Sequence, residues 1–162
     1  PCPCGFYTHP EKDCTCGTEL VEKYLNKISG PLLDRMDLHV EVSPMRFEQM
    51  TSNQSQEGSW AIRERVIQGR KMQEKRFEKF QQFHANASMS SPMVKQFCSL
   101  DVASQHLLKK AMDHLKLSAR AYDRILKVAR TIADLDAATE IASQHLAEAI
   151  TYRSLDRENW AG

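Results

Sequence analysis

Four cysteines crowded into the first sixteen residues are the side chains whose type and spacing point most directly to chemistry. They form two C-x-C pairs, Cys2 with Cys4 and Cys14 with Cys16. Four thiolates this close in sequence can complete a tetrahedral zinc site, and Gly5 and Gly17 after the pairs permit tight turns. Because zinc knuckles more often use C-x-x-C, reduced loop thiols and a disulfide remain alternatives, and His9 is a weaker candidate ligand.

The fifth cysteine, Cys98, stands apart in a short apolar run between Phe97 and Leu100. A small apolar residue in this setting is predicted to lie in a core. A secreted disulfide scaffold would distribute its cysteines along the chain. The crowding of four cysteines at one end instead favours a reducing, cytoplasmic compartment.

Arg35 is a second kind of candidate, placed between a Ser-Gly-Pro turn at 29–31 and a predicted strand. From there its guanidinium could project past the edge of the domain towards a neighbouring molecule. The ordinary alternative is an ion pair with Asp34 or Asp37, since such arginines usually contribute little.

Arg120 lies two residues after Ser118, the predicted cap of a helix. The first turn of a helix carries positive partial charge, so a cation there is unfavourable unless an anion such as phosphate compensates. A solvated helix-end arginine is the ordinary alternative.

Composition and motifs exclude several classes of function. The net charge of +1 among 162 residues provides no basic field of the kind that marks a nucleic-acid protein by itself. No phosphate-binding Gly-x-x-x-x-Gly-Lys-Ser/Thr loop, Ser-His-Asp set or H-E-x-x-H motif is present, which argues against a self-contained hydrolase. No apolar run is long enough for a membrane span. Without an initiator Met, the chain is expected to be an excised fragment.

Apolar periodicity predicts helices separated by clear breaks. The first half of the chain is predicted to hold a helix at Thr18–Ile28, a turn at Leu32–Asp34, a strand at Leu38–Val42, a linker at Met50–Ser59 and a long polar helix at Trp60–Phe83. The second half is predicted to be a bundle at Ser91–Arg153, with helices starting at the cap Ser91, at Asp101, at Ala119 after the cap Ser118, and at the cap Ser143.

Four separated motifs together resemble one known family. They are PCPCG at 1–5, SGPLLDRMDLH at 29–39, LSARAYDRILKVARTIADL at 117–135 and YRSLDR at 152–157. In this order they are similar to the carboxy-terminal part of the magnesium chelatase-like AAA+ ATPases, in particular the bacterial competence protein ComM group. The resemblance covers nearly the whole chain.

The resemblance implies a mainly α fold that begins with the end of an AAA+ α/β core carrying one strand. Residues 1–44 would be that part of the core, 45–90 the linker and long helix, 91–153 the helical lid and 154–162 a tail. ATP and Mg²⁺ would be bound mostly by upstream residues, so the isolated chain is expected to be inactive. Arg35 resembles the arginine finger that reaches the next subunit's nucleotide, and Arg120 resembles the sensor-2 arginine, acting on its own or a neighbour's nucleotide.

Three functional hypotheses follow. The first is an ATP-driven, homo-hexameric DNA helicase or branch-migration motor acting in natural transformation. The second is a magnesium chelatase-type ATPase subunit that remodels a protein partner. The third is an independent interaction module stabilised by zinc. None of them requires a membrane.

Overall fold

The computed structural model describes residues 2–40, 42 and 57–153 of the chain. These residues contain seven α-helices and a short 3₁₀ helix. In chain order they are α1 (Thr18–Leu25), α2 (Gly30–Leu33), α3 (Ser59–Phe77), the 3₁₀ helix (Asn86–Ser88), α4 (Ser91–Phe97), α5 (Val102–Leu115), α6 (Ala119–Leu135) and α7 (Ser143–Thr151). The predicted mainly helical fold class is confirmed. None of the helices in these ranges combines the length and apolarity needed to cross a bilayer.

Helix starts follow the predicted capping residues at two positions. The Asp101 carboxylate accepts a hydrogen bond from the Ser104 amide at 2.7 Å, and the Ser118 hydroxyl accepts one from the Ala121 amide at 3.1 Å. Both bonds satisfy amides that a helix leaves unpaired in its first turn. Ser91 and Ser143, also predicted as caps, are instead the first residues of α4 and α7, which follow Ser90 and Ala142.

Helix ends were predicted less well than helix starts. The helix predicted to reach Ile28 ends at Leu25, and the long polar helix ends at Phe77 instead of Phe83. Most of the predicted linker at 50–59 and the whole predicted tail at 154–162 lie outside the described residues. The division of the chain into four segments stays a prediction.

The strand predicted at Leu38–Val42 does not form in the described residues, which exclude Glu41. Residues 38–40 have no regular structure, and the His39 amide donates to the Tyr152 carbonyl at 2.8 Å. A strand is held by hydrogen bonds to a neighbouring strand, and the described part of the chain supplies none. Alternation of apolar and polar residues was therefore an insufficient signal.

One apolar core joins the C-terminal end of α3 to the four helices that follow it. Ile125, Ala129 and Leu146 have no exposed surface, and Phe77 of α3 packs into the same cluster. Cys98 lies in this core as predicted, where burial raises the pKa of its thiol to about 11. The long polar helix is thus anchored to the bundle at its C-terminal end.

A buried polar network locks α3 onto α6. The Asp134 carboxylate is fully buried and accepts hydrogen bonds from Arg76 of α3 at 2.7 Å and from Arg130, one turn earlier on α6, at 3.1 Å. The side-chain amide of Asn86 donates to the same carboxylate at 2.8 Å. Nearby, a Cβ at Gly69 would lie 3.1 Å from a methyl group of Leu135, so the absence of a side chain permits this close helix packing.

Removal of the Asp134 carboxylate tests this network. Asp134→Ala leaves Arg130 buried without its charge partner, so we expect the free energy of unfolding to fall by about 3–5 kcal/mol. Urea denaturation followed by circular dichroism measures the change. Asp113→Ala, at an exposed position on α5, is the control and is expected to change stability by less than about 0.5 kcal/mol. Equal effects of the two substitutions would contradict the prediction.

Candidate functional site

The four N-terminal cysteines converge into one cluster of sulfur atoms. All four Sγ atoms lie within 4.8 Å of one another. Cys2 Sγ is 3.2 Å from Cys4 Sγ and 3.5 Å from Cys14 Sγ, and Cys4 and Cys14 are 3.6 Å apart. All are free thiols in the structure. The structure thus brings together the predicted C-x-C pairs.

A tight turn shapes the first half of this cluster. Gly5 has a φ of 83°, a left-handed conformation that favours glycine, and its amide donates to the Cys2 carbonyl at 3.0 Å. The Tyr7 amide then donates to Cys2 Sγ at 3.2 Å. Gly17 has ordinary extended backbone and serves as the N-cap of α1, so only the first predicted glycine turn needs glycine.

Helix α1 covers the cluster from one side. Val21 and Leu25 are buried and pack with Cys2 into a small apolar core. This core is separate from the large one in the bundle. The sulfur cluster therefore also fixes how α1 packs on the N-terminal loop.

The pKa values of the four thiols differ because backbone amides and neighbouring sulfurs stabilise some thiolates more than others. The Phe6 amide and the Cys2 thiol donate hydrogen bonds that stabilise the Cys4 thiolate and lower its pKa to about 5. At Cys14 the Cys16 amide also favours the thiolate, but desolvation and the sulfur hydrogen bonds outweigh it and raise the pKa to about 12. Four thiolates at this spacing would repel one another strongly unless a cation lay among them.

The sulfur spacing fits a tetrahedral metal site. Zinc–sulfur bonds of 2.3 Å in tetrahedral geometry place the sulfurs about 3.8 Å apart, and the three separations given above, 3.2–3.6 Å, lie below that value, within a cluster that spans at most 4.8 Å. His9 lies outside the cluster, and its Nδ1 accepts a hydrogen bond from the Glu11 amide at 3.1 Å. The cysteines alone thus form a complete four-ligand set.

The turn that carries Arg35 is fastened to the helical bundle on both sides. Asp34, directly before Arg35, accepts a hydrogen bond from the Ser118 hydroxyl at 2.7 Å. Asp37 forms an ion pair with Arg124, which lies further along α6. Both carboxylates that could have neutralised Arg35 therefore contact residues of the helical bundle, and the Arg35 side chain is exposed.

A buried arginine provides a third contact to the same turn. Arg153 follows α7, has no exposed surface, and donates a hydrogen bond to the Met36 carbonyl. Its other guanidinium nitrogen lies 3.9 Å from Asp34. The buried His39 side chain lies 3.1 Å from the Leu33 carbonyl and folds the end of the turn back on α2.

The second predicted arginine, Arg120, lies close to the same contact between the Arg35 turn and the start of α6, here called the junction. Arg120 is exposed in the first turn of α6, two residues after Ser118. Ser118 donates to Asp34, the residue before Arg35, while it accepts from the Ala121 amide. A single hydroxyl thus joins the segments that carry the two arginines, although 84 residues separate Ser118 from Asp34.

Sequence reasoning did not identify the residues that hold this junction together. Asp34 and Asp37 entered only as possible partners of Arg35, and Arg124 and Arg153 were not singled out. Arginine and aspartate are ordinary surface residues, so their types and spacing give little indication of a contact across the fold. The one available signal was that Arg124 and Arg153 lie within the recognised motifs.

Comparison with protein families identifies two matching regions. The family described as magnesium chelatase, subunit ChlI C-terminal, matches residues 56–153, and the family described as magnesium chelatase, subunit ChlI, matches residues 1–50. The first match covers more than half of the chain. Together they leave only a short gap and the last few residues unmatched.

Comparison with individual proteins identifies bacterial relatives of greater length. The uncharacterized protein YifB of Escherichia coli is 42% identical over 159 residues, and competence protein ComM of Haemophilus influenzae is 40% identical over 159 residues. The uncharacterized protein YifB of Salmonella typhimurium is 38% identical over the same length. Each alignment covers 97% of this chain and 30% of the relative, so the chain spans about a third of the proteins that it matches.

Proposed function

Because the chain belongs to the magnesium chelatase ChlI family of AAA+ ATPases, we propose that it supplies two phosphate-binding arginines to an ATP-hydrolysing ring. The full-length protein is then a homo-hexameric motor that acts on DNA during natural transformation. The observation that carries the proposal is the junction at Ser118, beside which Arg35 and Arg120 are both exposed.

The proposal assigns ATP and Mg²⁺ to the full-length protein. This chain has no phosphate-binding glycine loop, and it spans 30% of the length of its relatives. The residues that cradle the phosphates and hold Mg²⁺ would belong to the rest of the ATPase. The isolated chain is therefore expected to bind ATP weakly and to lack turnover.

Two exposed guanidinium groups suit the chemistry of phosphoryl transfer. The transition state spreads negative charge over the phosphate oxygens, and catalysis depends mainly on positioning and charge stabilisation. In the proposal Arg35 is the finger that reaches the nucleotide of the neighbouring subunit. Arg120, at the positive end of α6, is the sensor-2 arginine whose electrostatic cost an anionic phosphate would offset.

DNA is proposed as the substrate because one relative at 40% identity is named a competence protein. The second candidate function is that of a chelatase-type ATPase subunit, which remodels a protein partner. The family descriptions favour that alternative, since both name magnesium chelatase. A third reading, an independent interaction module stabilised by zinc, would require the chain to fold and to bind a partner without the ATPase core.

The four cysteines are proposed to hold one structural Zn²⁺ ion. Complete tetrahedral thiolate sets are typical of structural zinc, because they leave no open position for a substrate. The ion would neutralise charge among the sulfurs and fix α1 on the loop. The buried apolar cluster in this region contains few residues: Cys2, Val21 and Leu25.

ATP turnover of the full-length protein, with and without branched DNA, distinguishes the two motor hypotheses. We expect branched DNA to stimulate turnover severalfold, because a DNA motor couples ATP hydrolysis to movement along DNA. Steady-state phosphate release measures it, with linear duplex DNA as the control. Basal turnover in an intact ring without any stimulation by DNA would favour the protein-remodelling function instead.

Arg35→Ala in the full-length protein tests the finger assignment. We expect turnover to fall by about a thousandfold or more, as for other arginine fingers supplied in trans, while ATP binding is retained. Phosphate release and nucleotide titration measure the two quantities. Arg63→Ala, at an exposed position on α3, is the matched control and should leave turnover unchanged. Retained turnover in Arg35→Ala would remove the assignment.

Metal content tests the zinc proposal. We expect about one equivalent of zinc in the reduced, metal-replete chain and loss of helical circular dichroism signal on chelation, since binding energy of a structural site is folding energy. Cys14→Ser should abolish stoichiometric binding. The same substitution at Cys98, which lies in the bundle core, should preserve it. Less than about half an equivalent in the unsubstituted chain would contradict the site.

A further inference from the structure

Three lid residues converge on the four-residue segment 34–37, which contains Arg35. Ser118 contacts Asp34 at the start of α6, Arg124 contacts Asp37 further along α6, and Arg153 contacts the Met36 carbonyl after α7. These contacts join residues that are 84, 87 and 117 positions apart in sequence. They lie immediately before and after Arg35, while the Arg35 side chain stays exposed.

Burial makes the contact from Arg153 hard to break. Its side chain has no exposed surface, and a buried guanidinium is tolerated only when acceptors satisfy it. The Met36 carbonyl is one acceptor, and the Asp34 carboxylate provides opposite charge at 3.9 Å. Moving the Arg35 turn away from the lid would leave this charge buried with fewer partners.

The two lid helices that make these contacts pack on each other. Helices α6 and α7 share the core residues Ile125, Ala129 and Leu146, all fully buried. Close-packed interiors transmit displacement instead of absorbing it. A rotation of the lid would therefore displace the start of α6 and Arg153 together.

We propose that Ser118, Arg124 and Arg153 are positioning residues for Arg35, so that the lid sets where the Arg35 guanidinium lies in the ring. This inference rests on the proposed function, because it concerns the finger role of Arg35. A finger must approach the transferring phosphate closely, and a misplacement of about 1 Å can cost a hundredfold in rate. Lid position then controls turnover through these three contacts.

Charge reversal of the Arg124–Asp37 pair in the full-length protein is the test. In Arg124→Glu two carboxylates face each other, so we expect kcat for ATP to fall by about tenfold, with an unchanged KM and an intact hexamer. The double variant Asp37→Arg with Arg124→Glu restores the opposite charges and should recover most of the lost kcat. Lys110→Glu makes the same charge change at an exposed site on α5 and should leave kcat unchanged.

A second pair of variants keeps the helix cap while it breaks the other contact. Ser118→Asp retains an acceptor for the Ala121 amide but places a carboxylate against Asp34, so kcat should fall again. Addition of Asp34→Asn supplies an amide donor and should restore it. The Tm of each variant is measured by thermal unfolding. A Tm within a few degrees of the parent's shows that a lower kcat comes from misplacement of Arg35 and not from loss of fold.

The outcomes distinguish this inference from the proposed function. Loss of kcat with rescue in both double variants supports the positioning role. An unchanged kcat in Arg124→Glu and Ser118→Asp, together with a large loss in Arg35→Ala, overturns the positioning role and leaves the finger intact. Full turnover in Arg35→Ala overturns the finger and, with it, the inference. Loss of kcat without rescue in either double variant also overturns the inference.

Discussion

The buried Asp134 carboxylate is the interaction on which the rest of the bundle depends. It pairs with Arg76 and Arg130 and accepts a further hydrogen bond from Asn86, so that α3, α6 and the 3₁₀ helix meet at one side chain. Arg130 also donates to the carbonyls of Ala138 and Thr139 beyond the end of α6. A buried charge is stable only when such partners surround it, and the same partners fix the register of the helices.

The bundle held in this way contacts a segment that is distant in sequence. The N-terminal end of α6 and Arg153, two residues after α7, contact the turn that follows α2, and these contacts are polar and directional. Exposed ion pairs contribute little stability by themselves. Their value in the proposed motor is geometric, because each fixes the direction in which the turn approaches the lid. The structure thereby links stability, in the bundle, to the placement of two arginines at its edge.

The stability of the N-terminal loop depends on different interactions from those of the bundle. Its buried apolar residues are too few to form an independent core, and helix α1 has only eight residues. Short helices are marginal without packing, and small units generally need a metal, a disulfide or a partner. A metal ion held by the sulfur cluster, as proposed above, would supply the cross-link that such a loop needs. The sulfur cluster lies on the same chain as the two arginines. In the proposed ATPase its role is structural and separate from the chemistry at the phosphates.

The amino-acid sequence alone determined the helical class, the capped starts of α5 and α6, the clustering of four cysteines and the resemblance to a chelatase-type ATPase. These depend on local periodicity, capping chemistry and ligand spacing, which are properties of neighbours in sequence. Tertiary structure alone decided that Leu38–Val40 do not form a strand, that Asp34 and Asp37 contact the helical bundle instead of Arg35, and that Arg153 is fully buried. Each of those outcomes depends on a partner far away in sequence, and residue types at one position carry no information about which distant group will satisfy a hydrogen bond or a charge.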